Sequence, residues 1–284
     1  MSRPELETTT NLPRILYGTA WKEETTQALT ELAIQQGFRG IDTANQRKHY
    51  DEAAVGAAIS YSIKQGHVTR DDLFIQTKFT FQAGQDHRLP YDPKAPTEVQ
   101  VTQSCASSLE HLRIDQIDSY VLHGPSRGTG LGPQDWAAWK AMEQIYDLGT
   151  VRALGISNVS LEQLTELCQR VRVRPRFVQN RCYAIQGWDD SVRKFCAEHG
   201  IIYQGFSLLT ANRTVWAGPH VAAIAKRLGR SPAQVIFRFA MQIGMLPLTG
   251  TTNAAHMRAD LDVEQFSLTE ADVNRIESIL LRNT

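Results

Sequence analysis

The sequence predicts an α/β protein that folds as one closed (β/α)₈ barrel, the TIM barrel. Short apolar runs alternate with amphipathic stretches about eight times along the chain, which is typical of parallel strands joined by helices. Eight such units in 284 residues fit a closed barrel better than an open doubly wound sheet. No GxGxxG motif follows the first run, which argues against a Rossmann fold.

Each predicted strand is followed by a predicted helix, in the order that a barrel requires. The strands are expected at 14–20, 39–42, 72–79, 117–124, 151–157, 176–180, 201–207 and 244–250. The helices are expected at 24–37, from Asp51 onward, and at 97–112, 134–148, 160–170, 189–199, 219–228, 232–243 and 253–260. A last helix is predicted to open at Ser267, with Glu270 completing a capping box. No linker rich in Pro, Gly or Ser separates these units, so residues 1–284 are expected to form one domain, with 1–12 a loose lead-in.

Composition and charge exclude several classes of partner. Hydrophobic residues make up 42% of the chain, charged residues 21%, and the formal net charge is zero. Neither a nucleic-acid partner nor an anionic membrane is indicated by this balance, and no apolar run reaches the ~18 residues of a membrane span. The polar first residues lack a signal-peptide core. We therefore expect a cytoplasmic protein, and the neutral surface favours a monomer.

The cysteines predict neither a disulfide framework nor a metal site. No two of them form a CxxC motif, and a cytoplasmic protein keeps its thiols reduced. We expect all of them to be reduced and mostly buried: Cys105, Cys168, Cys182 and Cys196.

Four titratable side chains stand at or just after the ends of three consecutive predicted strands. Asp42 ends the second strand, Tyr50 closes the loop after it, Lys78 lies near the end of the third, and His123 ends the fourth. Each alone has an ordinary structural explanation, such as a cap, a snorkelling lysine or a packing tyrosine. Chemistry on a barrel occurs where strands end, so together the four predict one site.

These four groups suit the reduction of a carbonyl. An ammonium near a phenol favours the phenolate and lowers the pKa of the phenol from its usual value near 10. A carboxylate would hold the ammonium, the phenol would give a proton to the developing alkoxide, and the imidazole would orient the carbonyl. Since no side chain supplies hydride, a nicotinamide cofactor is implied.

Several stretches resemble the aldo-keto reductase family in the family's own order across nearly the whole chain. They are GTAW (18–21), GIDTA (40–44), YDEAAVG (50–56), FIQTKF (74–79), IDSYVLHGP (117–125), GTVRALGISNVS (149–160), VQNRCY (178–183), FCAEHGI (195–201), GFSLL (205–209), SPAQVIFRFAMQ (231–242) and PLTGTTNAAHMRADL (247–261). The resemblance implies an NADP(H)-dependent oxidoreductase acting on a small aldehyde or ketone. Its catalytic residues would be Asp42, Tyr50, Lys78 and His123, with Tyr50 the proton donor.

The same resemblance implies residues for the cofactor. Ser157, Asn158 and Gln179 would bind the carboxamide, and Phe206 would stack on the nicotinamide. Ser207 and Leu209 would line the pyrophosphate. The remaining predicted cofactor contacts are Gly18, Thr19, Asp42, Thr249, Thr251, Thr252, His256 and Asp260.

The chain departs from the family pattern at the proposed proton donor and at the cofactor phosphate. Tyr50 follows Asp42 by eight residues instead of five, which makes His49 the main competitor for its role; Arg47, five residues after Asp42, cannot be a general acid at neutral pH. Leu248 stands where relatives often carry a lysine for the 2′-phosphate. NADPH is favoured through the TGTTN loop at a helix start, with His256 or Arg258 adding charge, and NADH remains an alternative.

The sequence ends soon after its last predicted helix, where many relatives continue into a tail over the substrate. We therefore expect a more open pocket, widened by Gly124 and walled by the loops 80–97 and 210–220. Tyr50, His123, Trp21 and Trp216 are the predicted substrate contacts, although ordinary packing would also explain the two tryptophans.

Two other functions remain open at this stage. One is a regulatory barrel that binds the cofactor with little turnover, although such a protein need not keep all four residue types. The other is a lyase with a Schiff base on Lys78, which needs a partly neutral lysine and is disfavoured by the predicted Asp42 partner.

Overall fold

A computed structural model describes residues 12–279 of the chain. Eight parallel strands close into a barrel in sequence order, with β1 paired to both β2 and β8. The predicted (β/α)₈ barrel is therefore confirmed. The predicted lead-in lies outside the described residues except for Leu12. The strands are β1 (Leu16–Gly18), β2 (Gly40–Asp42), β3 (Phe74–Phe79), β4 (Ser119–Leu122), β5 (Leu154–Ser157), β6 (Phe177–Arg181), β7 (Ile202–Phe206) and β8 (Met245–Thr249).

The helices surround this barrel, and most lie within a residue or two of the predicted ranges. Asp51 is the N-cap of α2, as predicted, and its carboxylate accepts a hydrogen bond from the backbone N–H of Ala54 at 2.9 Å. The helices are α1 (Thr26–Gln36), α2 (Glu52–Lys64), α3 (Thr97–Leu112), α4 (Pro133–Asp147), α5 (Leu161–Arg170), α6 (Asp190–Glu198), α7 (Arg213–Trp216), α8 (Pro219–Leu228), α9 (Pro232–Gln242), α10 (Ala254–Leu261) and α11 (Glu270–Glu277).

The predicted start of the last helix is wrong by two residues. Thr269, not Ser267, is the N-cap of α11, and Asp272 completes its capping box. The hydroxyl of Ser267 instead accepts a hydrogen bond from Arg238 at 2.9 Å. Leu268, between the two candidates, is 5% exposed in the core, so the chain stays non-helical through this position and the second capping pair starts the helix.

The core has an apolar floor inside the barrel and a larger layer between strands and helices. Leu16, Phe74, Phe177 and Leu246 form the floor. All four cysteines are free and buried, as expected. Among residues 12–279 there is no helix with the length and apolar character needed to cross a membrane. Polar side chains replace the apolar ones toward the carboxyl ends of the strands, which is where the candidate site lies.

Candidate active site

A buried ion pair lies at the centre of the barrel mouth. The ammonium of Lys78, on β3, lies 2.7 Å and 2.8 Å from the two carboxylate oxygens of Asp42, at the end of β2. Lys78 is fully enclosed and Asp42 is 3% exposed. The parallel register pairs Asp42 with Gln76, so Lys78 lies two residues further toward the mouth, and its side chain reaches the carboxylate next to it. The predicted pairing is thus present.

All three hydrogens of the Lys78 ammonium have acceptors inside the protein. The third acceptor is the backbone carbonyl of Thr43, at 2.7 Å. Burial lowers the pKa of Lys78, and the charges of Asp42 and Glu52 and the hydrogen bond to Asp42 oppose that shift. The three acceptors thus favour the charged ammonium and oppose the effect of burial.

Two buried glutamines hold the same carboxylate from inside the barrel, and a third glutamine is bonded to both of them. The amide nitrogens of Gln76 and Gln179 donate to Oδ1 of Asp42 at 2.7 Å and 3.0 Å. Gln204 bonds reciprocally with Gln76 and also accepts from Gln179. We had predicted only Gln179, and for the cofactor. Gln76 and Gln204 were missed, and their signal was an amide inside an otherwise apolar strand.

Tyr50 lies over the ion pair, despite the longer loop before it. Its ring centroid is 5.4 Å from the Lys78 nitrogen and 6.0 Å from the ring of His123. The backbone N–H groups of His49 and Tyr50 both donate to the carbonyl of Gln46 at 3.0 Å, which forms a turn that brings the chain back to the mouth. The structure thus brings the four predicted catalytic residues together.

The pKa of the Tyr50 phenol shifts in the direction opposite to our expectation. Burial, followed by the negative charge of Asp42, raises the pKa of Tyr50, whereas we expected Lys78 to lower it. The reason is that the charge of Lys78 is largely balanced by Asp42 beside it, which leaves burial to dominate. Tyr50 is therefore protonated over the whole neutral range, the form that a proton donor needs.

His123 is a neutral imidazole. Burial, then the positive charges of Lys78 and His49, lower the pKa of His123 to about 3. Its Nδ1 lies 2.7 Å from the hydroxyl of Thr80, which fixes the ring and leaves Nε2 available. A neutral ring of this kind can hydrogen-bond a substrate oxygen without adding a charge.

His49, the competing candidate for the proton donor, packs elsewhere. Its ring lies against Trp21, with 3.6 Å between centroids, and its carbonyl accepts from the backbone N–H of Trp21 at 2.8 Å. Burial lowers the pKa of His49. Trp21 itself is 68% exposed and has a left-handed backbone. These two side chains form one wall of the mouth, and Tyr50, not His49, lies over Lys78.

The residues predicted for the carboxamide form a connected group at the ends of β5 and β6. Ser157 donates its hydroxyl to the carbonyl of Gln179 at 2.6 Å, and Asn158 donates its amide to the carbonyl of His123 at 2.8 Å. The amide nitrogens of Gln179 and Asn158 are thus used within the protein, while their side-chain oxygens have no hydrogen-bond partner among the described residues. Two acceptors facing the end of the barrel fit the amide hydrogens of a nicotinamide.

The end of β7 also fits an aromatic cofactor. Phe206 is half-buried, and the guanidinium of Arg181 lies 5.6 Å from its ring centroid. Ser207, next in the chain, has a left-handed backbone with φ of 57°. The Leu209 carbonyl accepts from the Trp216 indole at 2.9 Å, so this predicted substrate residue is tied to the β7 loop, beside predicted cofactor contacts.

The residues on and after β1 and β8 that were predicted to contact the cofactor lie only partly together. Thr19 donates its hydroxyl to the Asp42 carbonyl at 3.0 Å, below the mouth. Thr249 and Asp260 bond each other at 2.7 Å, and both are buried between β8 and α10. A Cβ on Gly18 would lie 3.5 Å from the Thr249 carbonyl, so the two strands approach closely here.

The TGTTN loop keeps less free binding capacity than we expected. Asn253 caps α10 and accepts the backbone N–H groups of Ala255 and His256, which are therefore not free for an anion. Thr252 is exposed, and Thr251 accepts from the N–H of Asn253 at 3.3 Å. Arg258 donates to Gln36 on α1, at 2.5 Å.

A cation that we did not predict lies at this loop. The ammonium of Lys22, from the loop after β1, donates to the carbonyl of Gly250. It is also 5.8 Å from the ring of Tyr17, whose hydroxyl donates to the carbonyl of Thr251 at 3.2 Å. The sequence signal was a lysine directly after GTAW, in the loop that follows β1. Burial lowers the pKa of Lys22, and its side chain is a basic group beside a loop in which Leu248 is apolar.

A parallel barrel hosts many activities, so the class of this protein is identified by comparison with known proteins. The model of the aldo/keto reductase family matches residues 14–281. Over 264 residues, the chain is 30% identical to aldo-keto reductase family 4 member C11 of Arabidopsis thaliana, covering 87% of this chain and 79% of that protein. It is 30% identical over 298 residues to deoxymugineic acid synthase 1-A of Triticum aestivum, covering 96% and 89%.

A solved structure agrees with this assignment. The Bombyx mori aldo-keto reductase, determined in complex with NADP, has a TM-score of 0.77 and 25% identity, and the match covers 94% of this chain and 89% of that one. The chain belongs to the aldo/keto reductase family. It is therefore an NADPH-dependent oxidoreductase acting on carbonyl and CH–OH groups.

Proposed function

We propose that this chain reduces the carbonyl of a small aldehyde or ketone with Tyr50 as the proton donor. The observation that carries the proposal is the position of the Tyr50 ring, 5.4 Å from the Lys78 nitrogen and beside His123. His49, the alternative donor, stacks instead on Trp21.

The side chains divide the work as follows. NADPH, held by Ser157, Asn158, Gln179 and Phe206, would supply the hydride. Tyr50 donates its phenolic proton to the oxygen that becomes an alkoxide, a stronger base than the phenolate left behind. His123 is neutral, and the tautomer in which Nδ1 accepts from the Thr80 hydroxyl would carry its proton on Nε2 and could donate it to the same oxygen.

Asp42 and Lys78 do not take up the proton themselves. The Lys78 ammonium lies next to the phenolate that forms, and its positive charge stabilises that phenolate. Asp42 keeps the ammonium in place through two hydrogen bonds and is itself held by Gln76 and Gln179. The pair is thus rigid before the substrate binds, as electrostatic stabilisation of a transition state requires.

The finer assignments belong to the same proposal. Reduction is the favoured direction, NADPH is favoured over NADH because of Lys22, and the protein acts as a cytoplasmic monomer. Size-exclusion chromatography with light scattering would test the monomer, and cell fractionation would test the location. Trp21, His49 and Gly124 would border the substrate; a Cβ on Gly124 would meet Asn158 at 3.5 Å, so the glycine leaves room there.

A steady-state screen of NADPH and NADH oxidation against aldehydes, ketones and sugars tests the function. We expect Tyr50→Phe to lose about 10²–10⁴-fold in kcat, with the dissociation constant of NADPH unchanged in a fluorescence titration. His49→Ala tests the alternative donor and should keep kcat within about threefold, while Tyr61→Phe, at an exposed position on α2, is the matched control. Full activity in Tyr50→Phe, or an equal loss in His49→Ala, would show that the donor is assigned to the wrong residue.

A further inference from the structure

The loop that delivers Tyr50 is fastened to the neighbouring loop by side chains from both sides. We call residues 45–49, after β2, the donor loop, and residues 84–88, after β3, the strap. Gln46 of the donor loop donates its amide to the carbonyl of Gly84 at 2.6 Å. In the opposite direction, Gln85 of the strap donates to the carbonyl of Asn45 at 2.8 Å.

A third hydrogen bond joins the strap to the donor loop. Arg88 of the strap donates through Nη2 to the carbonyl of Arg47 at 2.6 Å. Its guanidinium is held by the carboxylate of Asp86, at 3.1 Å from Nε and 2.6 Å from Nη2. The carbonyls of Asn45 and Arg47, two residues apart in the donor loop, are therefore both bound by strap side chains.

The strap is shaped to allow this contact. A Cβ on Gly84 would lie 2.8 Å from the methyl carbon of Thr80 and 3.5 Å from the Gln46 amide nitrogen, so a side chain there would crowd this contact. Thr80 is also the residue whose hydroxyl bonds His123. Gln85 of the strap also donates to the carbonyl of Thr80 at 3.4 Å, so the strap connects the donor loop to the imidazole side of the site.

Gln46 lies at the pivot of the donor loop. Its backbone carbonyl accepts the N–H groups of both His49 and Tyr50 at 3.0 Å, while its side chain holds the strap. The base of the loop is fixed separately, by Asn45, whose N–H donates to the carbonyl of Lys78 at 3.1 Å and whose amide donates to Ser104 at 3.0 Å. The strap thus holds the loop both at this base, through Gln85, and beyond it, at Gln46 and Arg47.

We propose that Gln46, Gln85 and Arg88 are positioning residues for the proton donor, and this rests on the proposed function of Tyr50. Seven residues separate Asp42 from Tyr50, and a connection of that length is free to move unless its backbone is bound. The strap bonds hold the turn at Gln46, and the turn sets where the phenol lies above Lys78. Proton transfer depends steeply on this placement, since a displacement of about 1 Å can cost on the order of 10²-fold in rate.

The test uses the full chain and the carbonyl substrate found in the screen. The variants are Gln46→Leu, Gln85→Leu and Arg88→Met, singly and combined. Arg176→Met is the matched control, because Arg176 makes the same kind of bond, to the carbonyl of Gly200 at 2.7 Å, at the opposite end of the barrel. The measurements are kcat, the KM for NADPH, the isotope effect with 4-deuterated NADPH, and the thermal midpoint.

We expect the combined variant to lose about tenfold or more in kcat, with the KM for NADPH unchanged. When hydride transfer and proton transfer are separate steps, the slowed proton transfer limits turnover. The isotope effect on hydride transfer should then fall. Arg176→Met should keep the wild-type kcat, even if its thermal midpoint falls as far as that of the combined variant.

Three outcomes would overturn the proposal. A wild-type kcat in the combined variant would refute only the positioning role of the strap and would leave the proposed function intact. A parallel loss of kcat and NADPH affinity, or an equal loss of kcat in the control, shows a general structural effect. No carbonyl reduction by the wild-type chain refutes the proposed function and this inference with it.

Discussion

Lys78 and Asp42 meet inside the barrel with the ammonium 2.7 Å and 2.8 Å from the two carboxylate oxygens, and Lys78 has no exposed surface. Removing one partner of such a pair strands the other charge in the core. We expect Asp42→Leu to lower the free energy of unfolding by about 3–5 kcal/mol. Urea denaturation measures this loss.

The double variant Asp42→Leu/Lys78→Met separates stability from catalysis. Because it removes both charges, we expect it to be more stable than Asp42→Leu alone, while remaining inactive. Losses of stability that simply add would contradict the view that the cost lies in the unpaired charge.

Lys22 provides a prediction about cofactor choice. Its ammonium is bound to the carbonyl of Gly250, in the loop predicted to take the cofactor phosphate. A hydrogen bond to a charged group contributes roughly 1.5–3 kcal/mol, so Lys22→Met should raise the KM for NADPH about tenfold or more. The KM for NADH should rise less, and Lys194→Met, a lysine paired with Asp190 at 2.7 Å, should leave both unchanged. Equal effects on the two cofactors would refute a contact with the 2′-phosphate.

Asp260 predicts a pH dependence of stability. Burial raises the pKa of Asp260 to about 6, against roughly 3.9 in an unfolded chain. A raised carboxyl pKa stabilises the fold below pH ~4, and this contribution is lost as the pH rises through ~6. Asp260→Asn keeps a group that can bond Thr249 but does not ionise. Its stability relative to the wild type, from urea midpoints, should therefore increase between pH 4 and 7. A constant difference would be inconsistent with ionisation of Asp260.

Removing the Trp21 side chain should affect the KM for the carbonyl substrate alone. It is 68% exposed and stacks on His49 at the mouth. Since so much of it is in solvent, Trp21→Ala should change stability little, while the KM for the carbonyl substrate rises several-fold and the KM for NADPH stays constant. Leu148→Ala, at the exposed C-cap of α4, is the control. An unchanged KM for every substrate would remove Trp21 from the pocket.

Local patterns were enough to predict the barrel and the four central residues. Each strand is a short apolar run followed by a helix with recognisable caps, such as Asp51 on α2, and the carboxyl ends of parallel strands must meet. Asp42, Lys78 and His123 therefore had to converge. The last helix shows the limit of the same reasoning, because Ser267 and Thr269 both offer a capping pair, and burial of Leu268 decides between them.

Contacts between distant segments could not be read from the sequence. Gln76 and Gln204 are 128 residues apart, and only the closed barrel brings their amides together. The closed barrel also brings Lys22 next to Gly250, which is 228 residues away in the sequence. The pKa of Tyr50 depends on how completely Asp42 balances Lys78 and on burial, both of which are properties of packing.

The glutamines inside the barrel also bear on how it assembles. Gln76, Gln179 and Gln204 come from three strands, and each points inward only when its strand pairs in the native register, since a slip of one residue turns a side chain to the other face. A slipped strand would leave its partners' amides buried without hydrogen bonds, at about 1–3 kcal/mol each. The polar centre of the barrel thus penalises closures in which β3, β6 or β7 is misaligned, and so favours the native register of these strands during folding.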